Sequence, residues 1–366
     1  MRHPLRIFSF LLLSLAAATI ASPAPAIEGP QPPGALGRAV ETTVEGKATG
    51  TVLVAKGGKV LLVRSFADPA QPGFKPSRTT SYDIASIGKT FTAVLALRLA
   101  DQRRFDLDAS LRRYLPELPQ EMHDITARNA LSHTAGLPRY LEGDDLVRRS
   151  GTQALAEIAA MKRERKVGEY YYSNVGPALV ALAIERAAGD TYPRLVRRLI
   201  FKPIRMRNSY FHGDPKLLKV PVAPAYAKGQ RKGSPAEWPQ TWTMLGAAGI
   251  SASAEDLLRF GDAVFAGNFL SRRSRSQLLA DGASTGGRAS FKTADTLDIH
   301  YGSGLIHWRD RKGRRVHFHG GASDFGSNTG MLWRQDDGVL IVCLFNSATD
   351  AFSRGAFYSA VLDALE

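Results

Sequence analysis

The stretch GTVLVAKGGKVLLV, residues 50–63, decides how the rest of this 366-residue chain is interpreted. Two runs rich in valine and leucine flank the pair Gly57-Gly58. A glycine pair between two such runs is typical of the tight turn of a β-hairpin. The stretch therefore predicts a hairpin near the start of the chain.

Beyond the hairpin the hydrophobic period becomes helical. Residues 87–99 place apolar side chains at helical spacing, and most patterned segments between about 120 and 260 do the same, namely 154–161, 177–188, 192–199 and 254–266. Residues 214–241 contain five prolines and predict a long surface loop. The middle of the chain is therefore predicted to be mainly helical.

Near the C-terminus the period changes back to that of strands. Short strands are predicted at 302–308, 315–319, 329–333 and 339–345, and a last helix at 353–365. Strands at both ends with helices between them predict a mixed α/β (α+β) fold. One sheet would be built from both chain ends, with the helical region inserted as a second lobe.

Residues 1–26 are predicted to be a signal peptide. A basic start (Arg2, His3, Arg6) precedes an apolar stretch at 7–18 and a small-residue cleavage site at 24–26. The apolar stretch is shorter than the roughly 20 residues that span a bilayer, so no stable membrane span is predicted, although an uncleaved anchor is the alternative. The composition, 44% hydrophobic and 22% charged, is typical of a folded globular protein.

The chain is strongly basic, with 48 Lys and Arg against 34 Asp and Glu and a formal net charge of +14. The basic residues are scattered, and no zinc-finger spacing or RNA-binding signature accompanies them, so no nucleic-acid partner is predicted. Cys343 is the only cysteine, which excludes an intramolecular disulfide and cysteine-pair zinc sites. The sequence leaves the oligomeric state open.

Ser86-Ile87-Gly88-Lys89, at the start of the first predicted helix, is a candidate catalytic pair. Residues three apart share a helix face, so Ser86 and Lys89 can touch. An amine in a crowded site can take the proton of a serine nucleophile, and free N–H groups at a helix start can stabilise an oxyanion. The alternative is a solvent-facing pair on a first helical turn.

Tyr172-Ser173-Asn174 precedes another predicted helix. A tyrosine hydroxyl beside an amine can transfer a proton, and the Asn174 amide can bind a substrate carbonyl or hold the lysine. The alternative is an ordinary loop-to-helix turn.

His319-Gly320-Gly321-Ala322 leaves the predicted strand 315–319. Paired glycines let a substrate lie close to the strand backbone, and the N–H of Ala322 could complete an oxyanion pair with that of Ser86. His317 and His319 share one strand face, which also fits a metal site, but the other histidines offer no matching cluster. No metal or other cofactor is therefore predicted, and the alternative is a turn after an edge strand.

In this order the three motifs resemble those of the serine β-lactamase and penicillin-binding-protein superfamily. Residues 125–137 (ITARNALSHTAGL), 172–176 (YSNVG) and 247–257 (AAGISASAEDL) resemble its class C-like branch, which includes D,D-peptidases, esterases and β-lactamase-related serine hydrolases. The resemblance runs from about residue 40 to the C-terminus. It implies a two-lobed transpeptidase-like fold with an antiparallel sheet and the site between the lobes.

The resemblance also implies residue roles and boundaries. Ser86 would be the acylated nucleophile, Lys89 its proton-handling partner, Tyr172 the general base and acid, and Asn174 an orienting group. The N–H groups of Ser86 and Ala322 would form the oxyanion hole, and the substrate-binding strand would be headed by His319, Gly320 and Gly321. The serine hydrolase domain would cover 38–366, with a sheet lobe at about 38–100 and 285–366 and a helical lobe at about 101–284.

The implied protein is an exported, periplasmic serine hydrolase that acts through an acyl-enzyme on ester or amide substrates. These would be small molecules or peptides, including fragments of peptidoglycan. Many β-lactamases have lysine where this chain has His319, and a histidine is largely neutral near pH 7, so esters and D-amino-acid peptides are expected to outrank cephalosporins as substrates. The alternative is a very slow or non-catalytic penicillin-binding or cell-wall-binding protein.

Overall fold

The computed structural model describes residues 34–143, 145–286 and 298–366 of the chain. The predicted signal peptide, residues 1–26, lies outside the described residues. Among the helices that are described, none has the length and apolar character that crossing a membrane requires.

An eight-stranded antiparallel sheet forms the centre of the fold. Its strands, in chain order, are β1 (Ala48–Lys56), β2 (Lys59–Phe66), β8 (Ala283–Ser284), β9 (His300–Tyr301), β10 (Ile306–Arg309), β11 (Arg315–Ala322), β12 (Asn328–Arg334) and β13 (Val339–Ala348). They lie side by side in the order β2-β1-β13-β12-β11-β10-β9-β8. The predicted hairpin is β1-β2.

The pairing of β1 with β13 joins the two ends of the chain. Ala48 lies opposite Ala348 and Lys56 opposite Val339, with one irregularity between Thr49 and Gly50. An added Cβ on Gly50 would lie 2.0 Å from the Leu344 carbonyl oxygen, so this position requires glycine. The prediction of an antiparallel sheet built from both ends and flanked by helices is therefore confirmed.

Short strands also form outside the main sheet. β3 (Tyr82–Asp83), β7 (Ile250–Ala252) and β4 (Tyr210–Phe211) pair in that order as a three-stranded sheet. β5 (Tyr226–Ala227) and β6 (Gln230–Arg231) form a small hairpin within the predicted loop 214–241. The three-stranded sheet was not predicted, because strands of two or three residues carry no detectable period.

The described helices are α1 (Ala35–Val44), α2 (Gly88–Asp101), α3 (Ala127–Leu131), α4 (Gly151–Ala160), α5 (Val175–Ala188), α6 (Tyr192–Val196), α7 (Ala254–Gly261), α8 (Arg272–Leu278) and α9 (Arg354–Asp363). α6 and α7 continue into π-helical turns at Arg197–Phe201 and Asp262–Ala266. Single 3₁₀ turns lie at Ala85–Ile87, Leu111–Arg113, Gln120–Met122 and Pro215–Lys219. The helices predicted between 87 and 266 are confirmed with shifted ends, whereas α1 and α8 were not predicted.

Helices cover both faces of the sheet, because the apolar side chains of its central strands point alternately to one face and the other. In β13, Leu340, Val342 and Leu344 pack into the core shared with α2, α5 and α7. Ile341, Cys343 and Phe345 point to the other face and pack with α1 and α9. Cys343 is a buried free thiol, as its setting predicts, and burial raises its pKa to about 11.

One predicted strand is wrong in detail. Residues 302–308 do not form a single strand, because a turn separates β9 from β10. The Gly302 N–H donates to the Leu305 carbonyl at 2.9 Å, and Gly304 has a φ of +69°. An added Cβ on Gly304 would lie 2.7 Å from the Lys89 carbonyl oxygen. The turn thus lets the sheet pack closely against α2.

Candidate active site

Ser86 lies in the 3₁₀ turn that precedes α2, and a hydrogen bond to Asp83 stabilises this turn. Ala85, just before the serine, has a φ of +43°, a conformation that costs free energy for a residue with a side chain. Asp83 Oδ1 accepts a hydrogen bond from the Ala85 N–H at 3.0 Å. Ser86 is half-buried, whereas its neighbours Ala85 and Ile87 are buried.

Asp83 itself is fixed by contacts from distant parts of the chain. Its Oδ1 lies 3.1 Å from His212 Nε2, and its Oδ2 accepts from Ser327 Oγ at 2.7 Å. Burial alone would raise the pKa of Asp83, but the hydrogen bonds and the charge of His212 hold it below its usual value. The buried carboxylate of Asp83 therefore connects the 3₁₀ turn that carries Ser86 to the loop that follows β11.

Lys89 is the direct partner of Ser86. Its Nζ lies 2.9 Å from Ser86 Oγ and 3.1 Å from the carbonyl oxygen of Ala247, and its side chain is fully buried. Burial, with a smaller contribution from the charge of Arg139, lowers the pKa of Lys89 to about 7, while Asp145 opposes the shift. A substantial fraction of this amine is neutral at physiological pH, and a neutral amine can accept a proton.

Tyr172 lies on the other side of Lys89. The centre of its ring is 5.0 Å from Lys89 Nζ, and Ser86 lies close enough to act on the pKa of its hydroxyl. Burial raises the pKa of Tyr172 to about 12, against the smaller opposing effects of Ser86 and Arg139. The phenol therefore keeps its proton at neutral pH, which makes it suitable as a proton donor.

Asn174 stands immediately before α5. Its backbone N–H donates to the Arg139 carbonyl at 2.8 Å. Its side-chain Oδ1 is buried and has no hydrogen-bond partner among the described residues. The two hydrogen bonds of Lys89 go to Ser86 and Ala247, so the amide of Asn174 stays available to a ligand.

The end of β11 packs against the 3₁₀ turn that carries Ser86. An added Cβ on Gly321 would lie 2.6 Å from the Ile84 carbonyl oxygen, so a larger residue here would prevent this close packing. Thr329 Oγ1 donates to the same carbonyl at 3.1 Å, and Arg354 Nη1 donates to the Gly321 carbonyl at 3.0 Å. The exposed Ala322 therefore follows directly after the point where β11 meets the turn that carries Ser86.

The neighbouring Gly320 lies close against the side chain of Arg354. A Cβ added there would lie 2.6 Å from Arg354 Nη1. Gly320 and Gly321 thus both serve close packing at the strand end, which differs from the alternative of a simple turn pair.

His319 is buried, and both of its ring nitrogens are engaged. Nδ1 donates to the Gly320 carbonyl at 2.7 Å, and Nε2 accepts from the hydroxyl of Tyr301 at 2.7 Å. Burial, together with the charges of Lys89 and Arg354, lowers the pKa of His319 to about 3. The ring is therefore neutral, and the polar groups that β11 presents to the cleft are those of its backbone.

His133 is a site residue that the motif search missed. Its ring centre lies 4.3 Å from that of Tyr172 and 4.3 Å from that of Tyr301, and its Nδ1 accepts the Ser173 N–H at 3.2 Å. Burial lowers the pKa of His133 well below its usual value. The block at 125–137 contains this histidine and was the available signal, as the block at 247–257 was for Ala247.

The structure thus brings together Ser86, Lys89 and Tyr172 from two predicted motifs, and sets the third motif beside them. His317 does not join them, because its ring pairs with His307 (Nδ1 to Nδ1, 2.7 Å) and with Gln335. Within the described part of the chain there is no group of three or more side chains suited to hold a metal. A serine hydroxyl, a buried amine and a phenol gathered in this way are groups that acyl transfer can use.

A family model described as Beta-lactamase matches residues 36–366. Penicillin-binding protein 4* of Bacillus subtilis (strain 168) is 27% identical over 339 residues, which are 87% of this chain and 71% of that protein. This chain matches two other relatives over 60% and 53% of their own length, so it spans little more than half of each.

Two solved structures share the fold. A class C beta-lactamase superposes with a TM-score of 0.72 at 20% identity, covering 90% of this chain and 96% of that one. A D-stereospecific amidohydrolase from Streptomyces sp. superposes with a TM-score of 0.70 at 24% identity, covering 90% and 97%. At these identities the likeness establishes the architecture.

Proposed function

The chain belongs to the Beta-lactamase family of serine hydrolases, and on that premise we propose that it cleaves ester or amide substrates through an acyl-enzyme on Ser86. The observation that carries the proposal is the 2.9 Å contact between Ser86 Oγ and the buried Lys89 Nζ. An amine whose pKa lies near 7 is matched to general-base work at neutral pH.

Acylation begins at the Ser86 hydroxyl. As Oγ attacks the substrate carbonyl carbon, its proton passes to the neutral Nζ of Lys89, and the carbonyl oxygen takes the negative charge. The backbone N–H groups of Ser86 and Ala322 are assigned to this oxyanion, which is the charge that such donors stabilise most. The packing of Gly321 against Ile84 supports this role, because it fixes β11 relative to the nucleophile turn.

Collapse of the tetrahedral intermediate requires a proton on the leaving group. Tyr172 is the donor we assign, because its phenol is protonated at neutral pH and its ring lies 5.0 Å from Lys89 Nζ. The proton held by Lys89 then replaces the one that Tyr172 has given. In deacylation, a water molecule attacks the ester carbonyl, its proton is taken by the same pair, and Ser86 Oγ recovers a proton as it leaves. Lys89 is therefore the first base, and Tyr172 acts mainly as the acid.

The proposed substrates are small activated esters and D-amino-acid peptides, including those of peptidoglycan, with weak hydrolysis of β-lactams. The neutral His319 supports this order, since no permanent cation stands at the head of the third motif. The Streptomyces relative, described as a D-stereospecific amidohydrolase, is consistent with it. Export to the periplasm after removal of residues 1–26, and the lobe limits at about 100 and 285, are parts of the same proposal.

A slow or non-catalytic penicillin-binding protein is the second candidate, favoured by the name of the relative from Bacillus subtilis. Both candidates react with a fluorescent penicillin or a fluorophosphonate probe at Ser86. Transient labelling with turnover of p-nitrophenyl esters, nitrocefin or D-Ala-D-Ala peptides supports the hydrolase. Permanent labelling without turnover supports the binding protein, and failure to label the wild type rules out both. Ser86→Ala is the matched unlabelled control.

A further inference from the structure

Arg139 is an exposed residue beside Tyr172 and was not singled out by any motif. Its backbone carbonyl accepts the Asn174 N–H at 2.8 Å, which fixes the residue beside the second motif. The guanidinium carbon lies 5.6 Å from the ring centre of Tyr172, and its charge lowers the pKa of Lys89. An exposed cation is thus held within reach of both proton-transferring groups.

The guanidinium of Arg139 is oriented but not neutralised. Its Nε donates to the hydroxyl of Tyr140 at 3.0 Å, and its two terminal nitrogens make no hydrogen bond to the described residues. Among the described residues, no carboxylate forms an ion pair with Arg139. Arg354 differs, because its Nη1 is committed to the carbonyls of Gly321 and Thr329. Arg139 is therefore an exposed arginine whose terminal nitrogens are available as donors.

The charges around Tyr172 also favour an anion. Arg139 and Arg354 both lower the pKa of its phenol, and both arginines stay charged at neutral pH. A planar guanidinium binds a carboxylate through two parallel hydrogen bonds, which gives orientation as well as attraction.

We propose that Arg139 is a specificity-determining residue that binds a carboxylate of the substrate beside Tyr172, so that the preferred substrates are anionic esters or amides. This inference rests on the proposed hydrolase function and narrows its substrate class. The carboxylate could belong to the acyl group or to the leaving group, as in a peptide with a free C-terminus. The two sources share one chemistry, and the substrates below separate them.

The test compares two matched pairs of esters on the full protein. In the acyl pair, p-nitrophenyl hydrogen adipate carries a carboxylate that its methyl ester lacks. In the leaving-group pair, m-carboxyphenyl acetate is compared with m-(methoxycarbonyl)phenyl acetate. The readout is the ratio of kcat/KM for acid to kcat/KM for methyl ester within each pair. Measuring at about pH 9, where an amine with a pKa near 7 is neutral, removes the influence of Arg139 on Lys89.

We expect Arg139→Gln to lower this ratio about ten- to a hundredfold in one pair, the scale of a lost hydrogen-bonded charge, mainly through KM. Arg139→Lys should lose less, since it keeps the charge. Arg165→Gln is the matched control: its guanidinium lies 5.1 Å from the ring of Tyr171, and its loss should leave both ratios unchanged. Ratios that are equal in wild type and Arg139→Gln for both pairs overturn the inference alone. A wild type that cleaves none of the four esters overturns the proposed function and this inference with it.

Discussion

Lys89 reaches Ser86 from a position with no solvent access, 2.9 Å from Nζ to Oγ. A charged ammonium is costly to bury, so the fold shifts this amine toward its neutral form. Through this contact a protonated Lys89 donates a hydrogen bond to Ser86 Oγ. Through the same contact a neutral Lys89 can receive the Ser86 hydroxyl proton. The protonation state of Lys89 is therefore set by burial, and pH should control it.

Removing the nucleophile gives the first prediction. Ser86→Ala should lower ester hydrolysis by more than about a hundredfold, because the acyl-enzyme cannot form. The fold should be unaffected, since Ser86 is only half-buried and the loss of one oxygen opens no core cavity. Steady-state rates and circular dichroism check both parts, with Ser284→Ala, an exposed serine on β8, as the control. A residual rate above about one hundredth of wild type would remove Ser86 from its assigned role.

The pH dependence gives the second prediction. Lys89 must lose its proton to act as a base, so kcat/KM should rise with pH through a midpoint near about 7. Asp145 raises the pKa of Lys89 and Arg139 lowers it. Asp145→Asn should therefore move the midpoint down, and Arg139→Gln should move it up. Complete pH–rate profiles of the three proteins test this, and shifts of the same sign in both variants would contradict it.

The proton-transfer pair gives the third prediction. Lys89→Ala and Tyr172→Phe should each cost at least about a hundredfold in turnover, the scale of a positioned acid or base. The double variant should lose far less than the product of the two losses, because in the proposed mechanism Lys89, Ser86 and Tyr172 exchange one proton as a unit. The double-mutant cycle is the measurement. Losses that multiply would mean that the two residues serve separate steps.

A stability prediction concerns the neutral histidine of β11. Tyr301→Phe removes the hydroxyl that donates to His319 Nε2 and leaves a buried acceptor unsatisfied. The free energy of unfolding should fall by about 1–3 kcal/mol, measured by denaturant titration. Tyr140→Phe is the control, because Tyr140 is 54% exposed and water can replace its contact. Equal losses in the two variants would show that burial of His319 Nε2 is of no consequence.

Sequence patterns predicted the parts of this site that are local. The helical spacing after Ser86 predicted that Lys89 would share its face, and valine-rich runs predicted β1 and β2. The partners that give these residues their properties come from distant segments: the Ala247 carbonyl on Lys89 and His212 on Asp83 are examples. No local pattern specifies such contacts, since they depend on how the whole chain packs.

His319 shows how this limit affects a functional interpretation. From the sequence alone, His319→Lys would add a carboxylate-binding cation and improve the binding of β-lactams. In the structure, that change would break the contacts to Gly320 and Tyr301 and bury a second ammonium near Lys89. The position was identified correctly on its strand, but the environment of its ring was visible only in the folded chain.

The pairing of β1 with β13 has a consequence for the order in which this protein becomes active. Strands from opposite ends of the chain must meet before the centre of the sheet is closed, and such non-local pairing makes folding slow. The turn that carries Ser86 likewise depends on late segments, because Gly321 of β11 and Thr329 of β12 pack against it. A nascent chain can thus contain Ser86, Lys89 and Tyr172 before the strands that support Ser86 exist. The proposed acyl-enzyme chemistry therefore requires strands from the C-terminal part of the chain.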